Sequence, residues 1–284
     1  MTIESLPMQV LAPAKINPSL KILGRRADGF HEIETLIAPI SLYDEIEIEK
    51  RSSRGGIELL CDEPTVPHGD ENLVVHAAKA FFKKTKRKSG VSIELRKKIP
   101  AAAGLGGGSS DAAATLLALN ELFETKLSGD TLAEIAARIG SDVPFFIFQS
   151  AALCKGRGEV VSPIKLHKQF SALLLKPEFG VPTECAYSRW QHSREIPGIH
   201  YGAQKFAGHT FVNDLERPVF EKFIFLAHLK MWLLKQPEVG AALMSGSGST
   251  VIAVLHENAN PLLLATRAKA ELDPELWSCV CETR

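Results

Sequence analysis

The chain has 284 residues, 45% of them hydrophobic, with 33 Lys plus Arg set against 33 Asp plus Glu. That length and apolar share support a large core, as one big domain or two. The even charge balance argues against a nucleic-acid partner, and no apolar run reaches the length of a membrane span. The opening MTIESLPMQV carries an acid and lacks an apolar core, so it does not read as a signal peptide. Five cysteines (Cys61, Cys154, Cys185, Cys279, Cys281) are scattered and odd in number, which points to reduced thiols in a cytoplasmic protein.

Taken in order, the first third is strand-rich. Residues 19–23, 32–39 and 45–50 alternate or carry β-branched runs, and Gly55 with Gly56 marks a turn. Asp70, Glu71 and Asn72 open a helix through Leu73, Ala77, Ala80 and Phe81. It ends in the cations of residues 83–88, which suit a helix C-terminus. Residues 91–95 predict a strand. After a glycine-rich segment, a helix starting at Ser109 or Ser110 carries Ala112, Leu116, Leu119 and Phe123 on one face. A shorter helix is predicted over 129–138, and GSDVPFFIF (140–148) opens another with Pro144 in its first turn. Strands over 151–155 and 171–176 then alternate with helices near 182–191, 216–235 and 260–272, and Cys279 and Cys281 alternate with their neighbours as in a strand. A boundary near 155 divides the chain into residues 1–155 and 156–284. Strands and helices mix without strict βαβ order, so the fold class is α+β.

The glycine-rich segment is IPAAAGLGGGSSDAAA, residues 99–114. Glycine allows sharp turns and close approach of backbone to ligand. The helix behind it aims free N–H groups and a partial positive charge back at the loop, which is a ready site for a phosphate. It is neither of two common glycine motifs: no Lys follows as in a P-loop, and Ser109 stands where a dinucleotide fingerprint needs a third Gly. A flexible surface loop is the plain alternative. Asp142 reads either as the N-cap of its helix or as a free carboxylate, Lys15 on a strand reads by itself as a solvated cation, and Phe30 reads as a core aromatic or a ligand-stacking one.

Three separated segments resemble one family. PAKINPSLKILGRRADGFHE (13–32), the glycine segment and LMSGSGST (243–250) are similar to the GHMP kinase superfamily of small-molecule kinases. RADGFHE and GSDVPFF resemble, within it, the kinases whose acceptor is a cytidine-diphosphate-linked methylerythritol in non-mevalonate isoprenoid precursor synthesis. The resemblance implies a two-lobed α+β fold, an N-terminal and a C-terminal GHMP kinase domain with the active site in the cleft between them. It implies ATP with Mg²⁺ as donor, and transfer to the acceptor's 2-hydroxyl to give the 2-phosphate and ADP. Asp142 would act as general base beside Lys15. Pro100, Gly104, Leu105, Gly106, Gly107, Gly108, Ser109 and Ser110 would surround the donor's phosphates, completed by a third loop at Gly246, Ser247 and Gly248. Asn17 would bond the acceptor's hydroxyls, Phe30 and Tyr187 would sandwich its base, and His31 would read the base edge. Asn213, Asp214 and Glu216 of FVNDLE would stabilise the cleft. No protein ligand for Mg²⁺ is evident. The expected state is a monomer or weak homodimer, without nucleic-acid or membrane partners. Rival readings are a homoserine- or mevalonate-type kinase, for which Phe30 and His31 have no use, and an inactive ligand-binding member, against which Lys15 and Asp142 argue.

Overall fold

The computed structural model describes residues 7–51 and 56–284; Gly55 and the first six residues lie outside it. Two long strands, β1 (Met8–Arg25) and β2 (His31–Arg51), form an antiparallel hairpin that is the spine of the first sheet. The three strand segments read from the sequence are parts of this hairpin. Strand β3 (Ile57–Cys61), helix α1 (Leu73–Thr85) and strand β4 (Gly90–Arg96) follow. Asn72 caps α1 by accepting from Val74 N at 2.8 Å. Helices α2 (Gly107–Leu122), α3 (Gly129–Ala136) and α4 (Val143–Ile147) cover one face of the sheet, and Ala112, Leu116, Leu119 and Phe123 are buried there.

Strands β5 (Ala152–Gly156) and β6 (Val160–Pro163) extend the first sheet along β2. A second, antiparallel sheet comprises β7 (Ser171–Lys176), β10 (Val239–Met244), β11 (Val251–Leu255) and β12 (Trp277–Glu282), in the order β10-β11-β7-β12. Between β7 and β10 run α5 (Thr183–Ser188), β8 (Gln204–Phe206), β9 (His209–Asn213), α6 (Glu216–Lys222) and α7 (Ile224–Leu233); α8 (Pro261–Glu271) precedes β12. The helix expected over 216–235 is two, broken at Phe223.

The layers run helices, sheet, sheet, helices. Ala14, Ile16, Ala38 and Ile40 of the first sheet share one core with Ala172, Leu174, Leu243 and Ile252 of the second. Strand β9 leaves the second half of the chain to pair in parallel with β1, at Ser19 with Val212. Residue 155 therefore falls within β5, and β6, β8 and β9 beyond it belong to the first sheet.

One irregularity positions the site. Between Pro13 and Lys15, β1 advances two residues while β2 advances four, from Tyr43 to Pro39. Such a bulge re-aims the side chains that follow it. Ala12 packs with the core under the helices, whereas Ala14 and Ile16 pack between the sheets. Alternation along the strand turns Lys15 and Asn17 to the other face, toward the glycine loop, where Lys15 N donates to Leu105 O at 2.9 Å.

Candidate active site

The helix behind the glycine loop begins at Gly107, two residues earlier than the serines suggested. Its N-cap is Gly106, at φ 71°, a left-handed conformation that glycine adopts without strain. No side chain caps this end, so neither Ser109 nor Ser110 acts as the cap, and the first N–H groups of α2 are left for a ligand. Ser109 lines the cleft in front of the helix. Ser110 does not: it is fully buried, and its Oγ has no hydrogen-bond partner.

The third loop locks onto the first. Ser245 Oγ donates to Gly104 O at 3.0 Å, and Thr250 N donates to Ala103 O at 3.2 Å. A Cβ on Gly104, at φ +73°, would lie 2.1 Å from Ser245 O, so only glycine allows this approach. The FVNDLE segment holds the third loop from behind. Asn213 Nδ2 donates to Met244 O and Gly246 O, both at 2.7 Å, and Glu216 Oε1 accepts from Met244 N at 2.8 Å. Lys230 pairs with the other Glu216 oxygen at 2.6 Å in full burial, while Asp214 accepts from Ile22 N at 2.8 Å.

Lys15 is 4% exposed, and its Nζ donates to Asn17 Oδ1 at 2.6 Å and stands 3.7 Å from Asp142 Oδ2. Burial pushes the Lys15 ammonium below its ordinary range, and the Asp142 carboxylate opposes the shift. Asp142 occupies the N-cap position of α4 but, among the described residues, its side chain makes no capping bond. A capping side chain is worth about 1 kcal/mol, so that carboxylate is kept free at a cost to its helix. It remains 39% exposed toward the cleft. Asn17 Nδ2 donates to Thr35 Oγ1 at 2.8 Å, so both ends of this amide are engaged within the protein and it orients Lys15.

The cleft these groups line has a volume of 1010 Å³. At one end stand Phe30, His31 and Tyr187. Phe30 is 51% exposed, which excludes a core role, and the Arg157 guanidinium sits 4.6 Å over its ring. The His31 ring is 5.5 Å from that of Tyr187 and 5.8 Å, edge-on, from that of Trp190. Burial first, then the charge of Arg25, push the His31 imidazole below its ordinary range. Pro100, Leu105, Gly107, Gly108, Gly246, Ser247 and Gly248 also line the cleft, and Thr183 Oγ1 meets Ser247 Oγ at 3.0 Å.

Sequence reasoning missed three groups here. Arg157 lies in a Gly-Arg-Gly turn whose cation looks solvated. Cys154 is buried beside Lys15 and Asp142, its thiol pushed up to about 12 by burial and then by the Asp142 charge. Lys97, which no sequence pattern singles out, is held by Asp44 and, at 2.6 Å, by Asp111. Burial pushes Asp111 up to about 8. Among the described residues, no group of three His, Cys, Asp or Glu is arranged to hold a metal.

The family model for the GHMP kinases N terminal domain matches residues 72–150. With the two interlocked glycine loops beside a buried lysine, this makes the protein a GHMP kinase. A homoserine kinase from Cytophaga hutchinsonii shares the fold at 18% identity, with a TM-score of 0.72 over 100% of this chain and 96% of that one. Nearer relatives narrow the class. The 4-diphosphocytidyl-2-C-methyl-D-erythritol kinase of Methylacidiphilum infernorum is 41% identical over 94% of this chain and 93% of its own length. That of Bacillus thuringiensis is 40% identical over 89% of each. A crystal structure of 4-(cytidine 5'-diphospho)-2C-methyl-D-erythritol kinase superposes with a TM-score of 0.78 at 34% identity, covering 97% of this chain and 99% of that one. The chain belongs to the 4-diphosphocytidyl-2-C-methyl-D-erythritol kinase family.

Proposed function

We propose that this enzyme transfers the γ-phosphoryl group of ATP to the 2-hydroxyl of 4-diphosphocytidyl-2-C-methyl-D-erythritol, releasing ADP. The observation that carries the catalytic assignment is the uncapped Asp142 carboxylate beside the buried Lys15, at the edge of the glycine loop. Asp142 accepts the hydroxyl proton as the oxygen bonds to phosphorus and the bond to ADP breaks. Lys15 keeps that carboxylate ionised and polarises the hydroxyl, while Asn17 holds Lys15 in place. The free N–H groups of Gly107 to Ser109 and the third loop cradle the triphosphate.

Phe30 and Tyr187 take the faces of the cytosine, with His31 at its edge, since a base offers two π faces and a polar rim. Mg²⁺ would supply charge neutralisation and would enter mainly on phosphate and water ligands. Both glycine loops, Lys15 and Asp142 come from one chain, which supports a monomer or a weak homodimer as the working form. Five free thiols fit a reducing cytoplasm.

ADP release with MgATP tests the reading, comparing the cytidine-linked acceptor with homoserine and mevalonate. Turnover confined to the first supports it. Turnover with another acceptor would retain the phosphate loops and overturn the base-binding end. ATP binding without turnover on any would overturn the catalytic assignment.

A further inference from the structure

Among the described residues, Lys15, Lys97, Lys176 and Lys230 have buried side chains, and Lys97 is held by Asp44 and Asp111. A buried lysine is ordinarily paired with a carboxylate. Lys15 has Asp142 and Lys230 has Glu216. Lys176, at the end of β7, has no carboxylate partner among the described residues. Its Nζ donates instead to Pro177 O at 2.8 Å and Glu178 O at 3.3 Å, and reaches Phe179 O at 3.5 Å. Consecutive backbone carbonyls turned onto one positive charge are the surroundings that proteins give a bound alkali cation. Here the cation is attached to the chain.

The turn so held touches both glycine loops. Ser249 Oγ donates to Phe179 O at 2.6 Å, so Lys176 and the third loop converge on one carbonyl. Gly180 packs on the first loop so closely that a Cβ there would lie 2.6 Å from Ala102 Cβ. Val181, the next residue, lines the cleft. Residues 177–180 are thus wedged behind the proposed phosphate surround, with the Lys176 ammonium at their back; burial lowers its pKa, and the nearby Glu178 charge works against that shift. Fixed charges in a site of low dielectric act strongly on a bound anion and need no reorganisation when it arrives.

We propose that Lys176 is a positioning residue for the phosphoryl donor, a tethered cation that sets the 177–179 turn against both glycine loops. This rests on reading those loops as the phosphate site. Lys176→Met keeps the bulk and removes the charge; Lys176→Ala removes both and leaves room for a small amine. The expected result is a KM for ATP raised roughly tenfold in both variants, in keeping with the loss of charge-assisted hydrogen bonds, with the KM for the acceptor little changed. Added methylammonium lowers the KM for ATP again in Lys176→Ala and has no effect on Lys176→Met.

An unchanged KM for ATP, or an equal decline of all constants without amine rescue, overturns the proposal. If neither variant folds, Ser249→Ala, which frees the same Phe179 carbonyl from the other side, must still raise the KM for ATP selectively; if it does not, the proposal is wrong. Binding of a non-hydrolysable ATP analogue to the unaltered protein separates the two readings. Failure there overturns the phosphate site itself and this inference with it, whereas normal binding there and in Lys176→Met overturns only the role of Lys176.

Discussion

Lys15 Nζ lies 3.7 Å from the Asp142 carboxylate, although the two residues sit on β1 and at the start of α4. The bulge exchanges the two faces of β1, so that alternation after it sets Lys15 opposite Ala14 and Ile16, and the missing capping bond leaves Asp142 free to meet it. Asp142→Asn keeps the shape and removes the proton acceptor. Turnover should fall by about 10²–10⁴-fold, the usual contribution of a positioned general base, while a non-hydrolysable ATP analogue binds as before. Steady-state kcat with calorimetric binding checks this, and unchanged turnover removes Asp142 as the base.

The same pair predicts a pH effect. Burial holds Lys15 below its ordinary value, and Asp142 works against burial. In Asp142→Asn the opposing charge is gone, so Lys15 loses its proton at lower pH. The alkaline limb of the residual kcat should move downward relative to that of the unaltered enzyme, as a pH–rate profile would show. An unmoved limb would separate that limb from Lys15.

Phe30→Ala should weaken acceptor binding by about 1–3 kcal/mol, the value of stacking on one base. ATP affinity and melting temperature should hardly change, because Phe30 is half exposed. Competition binding with CDP tests this directly, and a loss confined to ATP would place Phe30 at the wrong end of the cleft.

Gly104→Ala forces a Cβ into the Ser245 carbonyl and a side chain into a left-handed backbone. We expect destabilisation by about 2 kcal/mol or more, with ATP affinity lost as the loops separate. Thermal melts with and without the ATP analogue measure both effects.

The Asp44–Lys97–Asp111 cluster gives a stability prediction with a definite sign. Asp111 holds its proton up to about pH 8 in the folded chain, against 3.8 ordinarily. Between those values the folded state binds more protons than the unfolded state, so this group's contribution to stability declines as pH rises. Asp111→Asn should flatten the dependence of Tm on pH across that window. An equally steep profile in the variant would show that Asp111 does not titrate there.

How far the sequence could be read depended on which forces left a periodic trace. The helix at Asn72, the α2 face and the glycine loop were legible, because capping, apolar spacing and glycine clustering are local signals. Residues 14–18 of β1 were not: all five are buried, since the strand is covered on both faces there, and alternation vanishes. A buried lysine and asparagine in such a run look like errors of pattern, so Lys15 and Asn17 were reached through resemblance alone. Strand β9 pairs with β1 from far along the chain, and nothing local announces a partner at that distance. No pattern singles out Lys97, whose partner Asp111 lies on another element, or Lys176, whose carbonyl partners are its next neighbours in sequence but are turned onto it only by the fold.

The contact between Gly104 and Ser245 has a consequence for how the protein matures. Residues 99–108 are held by a loop that is synthesised well over a hundred residues later, after β10 and before β11. A nascent chain stopped short of residue 245 would carry the glycine loop with nothing to close it. Any ligand that bound the closed arrangement alone would draw that closure forward by mass action.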